Sequence, residues 1–332
     1  MEEYNRGTGT AGGFAGNELP PLTPEAVQRQ IWETRHKKEL PLYAALSVLG
    51  MIACAVMIYL RAQEGGIIEE LKKFFHSAGI EQTLPDFSRL MGYILLVLGL
   101  LGGFTAIILL MLTVIVMLYR YYGEEMAYGV RVSENNFPEI HKKVQEFSWL
   151  LGLKKAPEVY IRQENGTLNA FTSWIPGKTF IQLNAEITDI AYLEHKDFDT
   201  LFFVIGHEMG HIYLHHVQIY YQIWPLLSSF IPVIGPYFLH PLLSRSREYS
   251  ADRVGQALTR GKNQEECMML LGVGRHLYKH MNVRNYIADI LKQHNTPERL
   301  GRWVINLLAS HPIMPFRTAA ILDPEKKSGR LL

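Results

Sequence analysis

Two histidines four residues apart, with a glutamate beside the first, carry the most legible chemistry in this sequence. The stretch His207-Glu208-Met209-Gly210-His211 lies inside an apolar run, 200–214, that has helical spacing. On a helix, residues four apart share a face. Both imidazoles can therefore turn a nitrogen toward one zinc ion, with Glu208 one position round, beside the metal's open side. In such a site the glutamate takes a proton from the zinc-bound water.

A catalytic zinc uses three protein ligands and one water, so a third ligand is required. One solution is a His six residues after the second His, with Gly at the third. Those positions hold Val217 and Leu214, which rejects it. His215 and His216 read as surface or structural residues, because three imidazoles in one helical row strain a tetrahedral site. The other solution is a Glu on a second helix. In Ser244-Arg245-Ser246-Arg247-Glu248-Tyr249-Ser250-Ala251-Asp252, Glu248 and Asp252 are four apart and share a face. Glu248 can ligate zinc. Asp252 can accept a hydrogen bond from the free nitrogen of a ligand His, which fixes its tautomer.

These residues need elements to hold them. Helical periodicity marks Glu139–Gly152, about 198–216, Arg245–Thr259, Gln264–His280 and Pro297–Ser310. Three strand candidates lie between, Glu158–Arg162, Thr167–Trp174 and Lys178–Asn184, with Pro176-Gly177 as a turn. The expected class is α+β, mostly helical, with a small sheet.

The chain has 332 residues, a formal net charge of +1 and 48% hydrophobic residues, concentrated in blocks. The neutral balance gives no nucleic-acid surface. Two distant cysteines, Cys54 and Cys267, give neither a disulfide framework nor a thiolate zinc site. Residues 1–22 read as a disordered tail, and Thr23-Pro24 opens a short helix, about 24–39. Residues 40–60 and 90–119 contain no charged residue, and each is long enough to cross a bilayer as a helix. The expected division is 1–39 before the membrane, 40–119 as the transmembrane region, 120–322 as the zinc domain and 323–332 as a polar tail. Basic residues outside the two spans outnumber those in the loop between them, which places the zinc domain on the cytoplasmic side.

No Asp, Glu, Lys or Arg occurs from Met209 to Ser244, and 217–243 is long enough for a third span. A single crossing would part His211 from Glu248, and two crossings need about 40 helical residues plus a turn. A hairpin of broken helices that returns to the same side is therefore expected. Pro225, Pro232, Pro236 and Pro241 supply the breaks, and Val233–Gly235 the tip.

The zinc motif, the Arg247-Glu248-xxx-Asp252 element, Asn169-Ala170-Phe171 and Ser310-His311-Pro312…Arg317 together resemble the HtpX-type membrane zinc metallopeptidases, relatives of the CAAX prenyl endopeptidases. The resemblance implies a thermolysin-like site holding one Zn²⁺ per chain through His207, His211 and Glu248, with Glu208 as the base. It further implies that Asn169 and Ala170 line the cleft and that His311 stabilises the oxyanion. Protein or peptide substrates and the lipid bilayer are the expected partners, and the cell membrane is the expected site if the source is bacterial. The alternatives are a CAAX-type processing protease for lipidated C-termini and a non-catalytic scaffold stabilised by zinc. The first conflicts with two spans and one hairpin. The second leaves Glu208 without a purpose.

Overall fold

The computed structural model describes residues 20–63, 108–109, 111–194, 198–292, 296–322 and 329–331. Helix α1 (Pro24–Thr34) starts where the Thr-Pro signal falls: Ala26 N donates to Thr23 Oγ1 at 3.3 Å, and Pro24 occupies the first turn. The helix expected over 24–39 breaks after Thr34. Helix α2 (Glu39–Gln63) follows, so Arg35–Lys38 is a corner rather than a continuous turn. The reason is packing. Val27 and Ile31 are fully buried in the main core, which ties α1 there, while α2 turns away to pack along the apolar segment 219–230.

Within α2, Glu39–Met57 is long and apolar enough to cross a membrane. It is the one such helix among the described residues. The second expected span falls mostly outside them; residues 111–128 form helix α3, with Met111, Leu112, Val116 and Met117 exposed. The tail 1–19 also lies outside the described residues.

The fold is mostly helical around a small mixed sheet. Strands β1 (Val130–Arg131), β2 (Glu158–Arg162), β3 (Ala170–Ile175) and β4 (Lys178–Asn184) lie in the order β1-β2-β4-β3. β2 and β4 are parallel; the other two pairings are antiparallel. β3 begins at Ala170 rather than Thr167. Asn169 turns its Oδ1 onto Ala170 N at 3.0 Å, a local bond that competes with the ladder. β3 is an edge strand, with β4 on one side and no described strand on the other.

Helix α4 (Pro138–Leu151) covers the core through Ile140, Val144, Phe147, Leu150 and Leu151, and ends on Gly152 at φ 67°. The short helix α5 (Ala185–Asp189) leads from β4 toward α6 (Phe198–Tyr213), which carries the two-histidine motif. The apolar block does not run straight. Helix α7 (Ile219–Leu226) passes into a 3₁₀ turn, Leu227–Phe230, then a corner with Val233 at φ 65°, then a single π turn, Gly235–Leu239. The chain returns as α8 (His240–Thr259), which carries Glu248. Tyr221 of α7 stacks on Tyr43 of α2 at 4.1 Å. The backbones of α2 and the 3₁₀ turn touch so closely that a Cβ on Gly50 would meet Ser228 N at 2.6 Å.

The C-terminal half departs from expectation in detail. Helix α9 (Gln264–Val273) stops short of 280, because Gly274 ends it. A 3₁₀ turn, Tyr278–His280, and helix α10 (Val283–Lys292) follow. Helices α11 (Thr296–Leu308) and α12 (Met314–Leu322) complete the domain. The expected polar tail includes a buried Leu331, whose carbonyl accepts from Arg245 Nε at 2.9 Å.

Candidate active site

Helices α6 and α8 pack backbone to backbone. A Cβ on Gly206 would approach Gly255 Cα to 3.1 Å, and one on Gly210 would meet Val254 Cβ at 2.9 Å and Ala251 Cα at 3.1 Å. This close approach lets a short Glu side chain on one helix reach two imidazoles on the other.

His207, His211 and Glu248 each offer a ligand atom, all within 4.8 Å of one another. The Nε2 atoms of the two histidines are 3.2 Å apart. Glu248 Oε2 is 3.6 Å from His207 Nε2, and Oε1 is 3.4 Å from His211 Nε2. A tetrahedral zinc with ligands at about 2.0–2.1 Å separates neighbouring ligand atoms by about 3.3–3.4 Å. The histidine pair and each histidine's nearer Glu248 oxygen, Oε2 for His207 and Oε1 for His211, lie close to that value. The chemistry agrees with the geometry: with the ring protons on Nδ1, two lone pairs and a carboxylate converge in a buried place, and a cation is what such a set lacks. The donor set fits zinc.

The outer partners set those ring protons. His207 Nδ1 is 2.9 Å from Asp252 Oδ1. Arg317 clamps Asp252 with two bonds of 2.7 Å, from Nε to Oδ2 and from Nη2 to Oδ1. Burial raises the Asp252 pKa, but Arg317 outweighs it and holds the carboxyl below its usual range. Glu248 behaves alike: burial opposes its charge, and the neighbouring His211 and His311 rings outweigh that and keep it well below normal. At His211, burial favours the neutral ring. The neighbouring Glu248 carboxylate outweighs that and raises the pKa.

Of the two readings left for His216, surface or structural, it is structural: the side chain is buried and outside the ligand trio. Helix α6 ends at Tyr213, not near 216. His215 adopts φ 62°, with His215 N bonded to Ile212 O at 3.1 Å and His216 N to His211 O at 2.8 Å. That pair of bonds is a Schellman cap. It folds His216 back, so that its Nδ1 lies 3.0 Å from His211 Nδ1. Its Nε2 lies 2.9 Å from Glu39 Oε1, at the head of α2. Burial pushes the His216 pKa down to about 3, against the pull of Glu39. His215 stays on the outside, beside Tyr220 and Tyr221.

The cleft over the three ligands encloses about 490 Å³. Asn169, Ala170, Glu208 and His311 all line it. Glu208 Oε2 accepts from Thr172 Oγ1 at 2.5 Å. Thr172 escaped the sequence reading, although it shares a strand face with Ala170 two residues earlier. His311 lies with Nδ1 3.1 Å from Glu248 Oε2, a bond that raises its pKa. The cleft floor continues into apolar residues, among them Phe203, Val204, Met268 and Leu271.

Residues 134–325, more than half of the chain, match the model of peptidase family M48. The chain belongs to that family, one of zinc metallopeptidases. A stretch of 108 residues is 30% identical to the "Protease HtpX homolog" of Halobacterium salinarum, and covers 32% of this chain and 35% of that protein. The chain thus matches about a third of that relative's length. No solved structure matches the chain.

Proposed function

We propose that the protein is a membrane-anchored zinc endopeptidase that hydrolyses peptide bonds in membrane or membrane-proximal proteins. The observation that carries the reading is Glu208: a carboxylate on the ligand helix, opening into the same cleft as His207, His211 and Glu248. A zinc ion bound there supplies Lewis acidity to the scissile carbonyl and acidifies water. Glu208 takes the proton from the attacking water and passes it to the leaving amine. Thr172 donates to Glu208 Oε2, which steadies the base. The edge of β3 with no described strand beside it pairs with an extended substrate through its main chain, with Asn169 and Ala170 at its start. His311, at the cleft mouth beside Glu248, donates to the oxyanion that forms as the carbonyl is attacked.

The test is Glu208→Gln. The variant keeps its shape and zinc ligands, and cleavage of labelled casein should fall by at least about 10²-fold. Cleavage at the wild-type rate would end the enzyme reading.

The membrane reading rests on Glu39–Met57, where Val48, Leu49, Met51 and Ile52 are exposed apolar side chains. A broken apolar segment packs along this helix, with Ile223, Trp224, Val233 and Ile234 exposed in turn. Contiguous uncovered apolar surface of this kind matches lipid better than water. The full chain should remain in the membrane pellet after alkaline carbonate and enter solution only with detergent. Recovery in the carbonate supernatant would remove the anchor.

A further inference from the structure

An imidazole that offers Nε2 to a metal carries its proton on Nδ1, and the partner of Nδ1 decides whether it does so. For His207 that partner is Asp252. For His211 it is another histidine, and two imidazole nitrogens can bond only if one is protonated and the other is not. The tie is broken further out. Glu39 is an acceptor and lies 2.9 Å from His216 Nε2, so His216 carries its proton there. Its Nδ1 is left as a lone pair, and at 3.0 Å it accepts the Nδ1–H of His211. His211 then has no proton on Nε2, the atom that faces His207 and Glu248.

Glu39 is itself held. Arg35 donates to it through Nε at 3.1 Å and through Nη2. Ser250 Oγ, two residues after Glu248, donates to Oε2, and takes a bond from His36 N at 3.2 Å. Glu39, His216 and Ser250 are all buried. The corner 35–39 thus reaches the ligand helix and the Glu248 helix together.

We propose that His216 and Glu39 are positioning residues that fix His211 as its Nδ1–H tautomer, so that the metal centre is complete only when the corner before the apolar helix is docked. This inference rests on the zinc reading above. It goes beyond it in making the N-terminal segment part of the metal site.

The test uses the full chain in detergent, with zinc affinity measured by chelator competition and the ligand field read from the Co²⁺-substituted protein. His216→Phe removes the acceptor at similar size and should weaken zinc by about 10–100-fold, with an altered cobalt spectrum. His216→Asn sets Oδ1 in the place of Nδ1 and should return affinity to within about threefold of wild type. Equal loss in both variants, or wild-type affinity in H216F, overturns the proposal. In ¹⁵N-histidine-labelled, zinc-bound wild type, which needs no variant to fold, the ring nitrogen shifts should show His216 as the Nε2–H tautomer and His211 as Nδ1–H; the reverse assignment overturns it as well. The zinc reading fails in a different way: wild type would bind no zinc, or His207→Ala would bind it equally.

Discussion

At the scale of residues, the site is a set of acceptors whose protons are held at a distance. Asp252 and Arg317 form a buried bidentate pair behind His207. Removing one partner of such a pair costs about 3–5 kcal/mol, so these residues report on folding as much as on zinc. His211 gives a cleaner signal. In the metal-free protein Glu248 raises its pKa against the effect of burial. A raised histidine contributes its stability in full below the unfolded value of about 6.5, and loses it as pH rises through the folded value. Zinc needs the same nitrogen unprotonated. The proton therefore holds His211 to Glu248 at low pH, and a bound zinc would do so at higher pH. The gain in melting temperature on adding zinc to chelated protein should grow from about pH 6 to about pH 8. A gain that is flat across that window would contradict this account.

At the scale of elements, the decisive contact is α6 against α8. Its closeness depends on Gly210, which has no room for a Cβ beside Val254 and Ala251. Gly210→Ala should cost about 1–3 kcal/mol as the helices part. It should also weaken zinc binding, because Glu248 moves away from the histidines. Gly301→Ala is the control: nothing lies within 4 Å of its added Cβ, and neither stability nor zinc binding should fall. Equal behaviour of the two variants would show that helix separation does not set the metal site.

The elements also explain what the sequence could convey. The i, i+4 spacing of His207 and His211, and of Glu248 and Asp252, is a helical fact and is visible in one dimension. The necessary return of the chain between them follows from the same pair, since two ligands of one ion cannot end on opposite sides of a bilayer. His216 was hidden because its place depends on a helix stop with His215 at positive φ, where glycine is the usual signal. Thr172 needed the register of β3, and Glu39 needed the corner at 35–38. Both are tertiary facts that no local period carries. The breaks at Gly152 and Gly274 were legible as glycines, yet only the first was placed as a helix end.

At the scale of the molecule, helix α1 belongs to the folded domain. Val27 and Ile31 lie in the same core as α4 and α6, and Glu39 reaches the ligand shell through His216. The apolar helix that begins at Glu39 is thus joined to the site by buried polar contacts rather than by a loose linker. The broken segment between the two ligand helices packs on that apolar helix, so the cleft and the proposed membrane contact share one framework. Under the proposed function, this framework would keep the cleft near the bilayer.

The central claim is that one zinc ion, held by His207, His211 and Glu248, serves peptide hydrolysis with Glu208 as the base. The direct measurement is a zinc titration of the chelated full chain, following bound metal and casein cleavage together, for wild type and for Glu208→Gln. Wild type should regain full activity at one equivalent of zinc, and E208Q should bind that equivalent without regaining it. Activity that survives complete removal of zinc, or cleavage by E208Q that rises with zinc as in wild type, would contradict the claim.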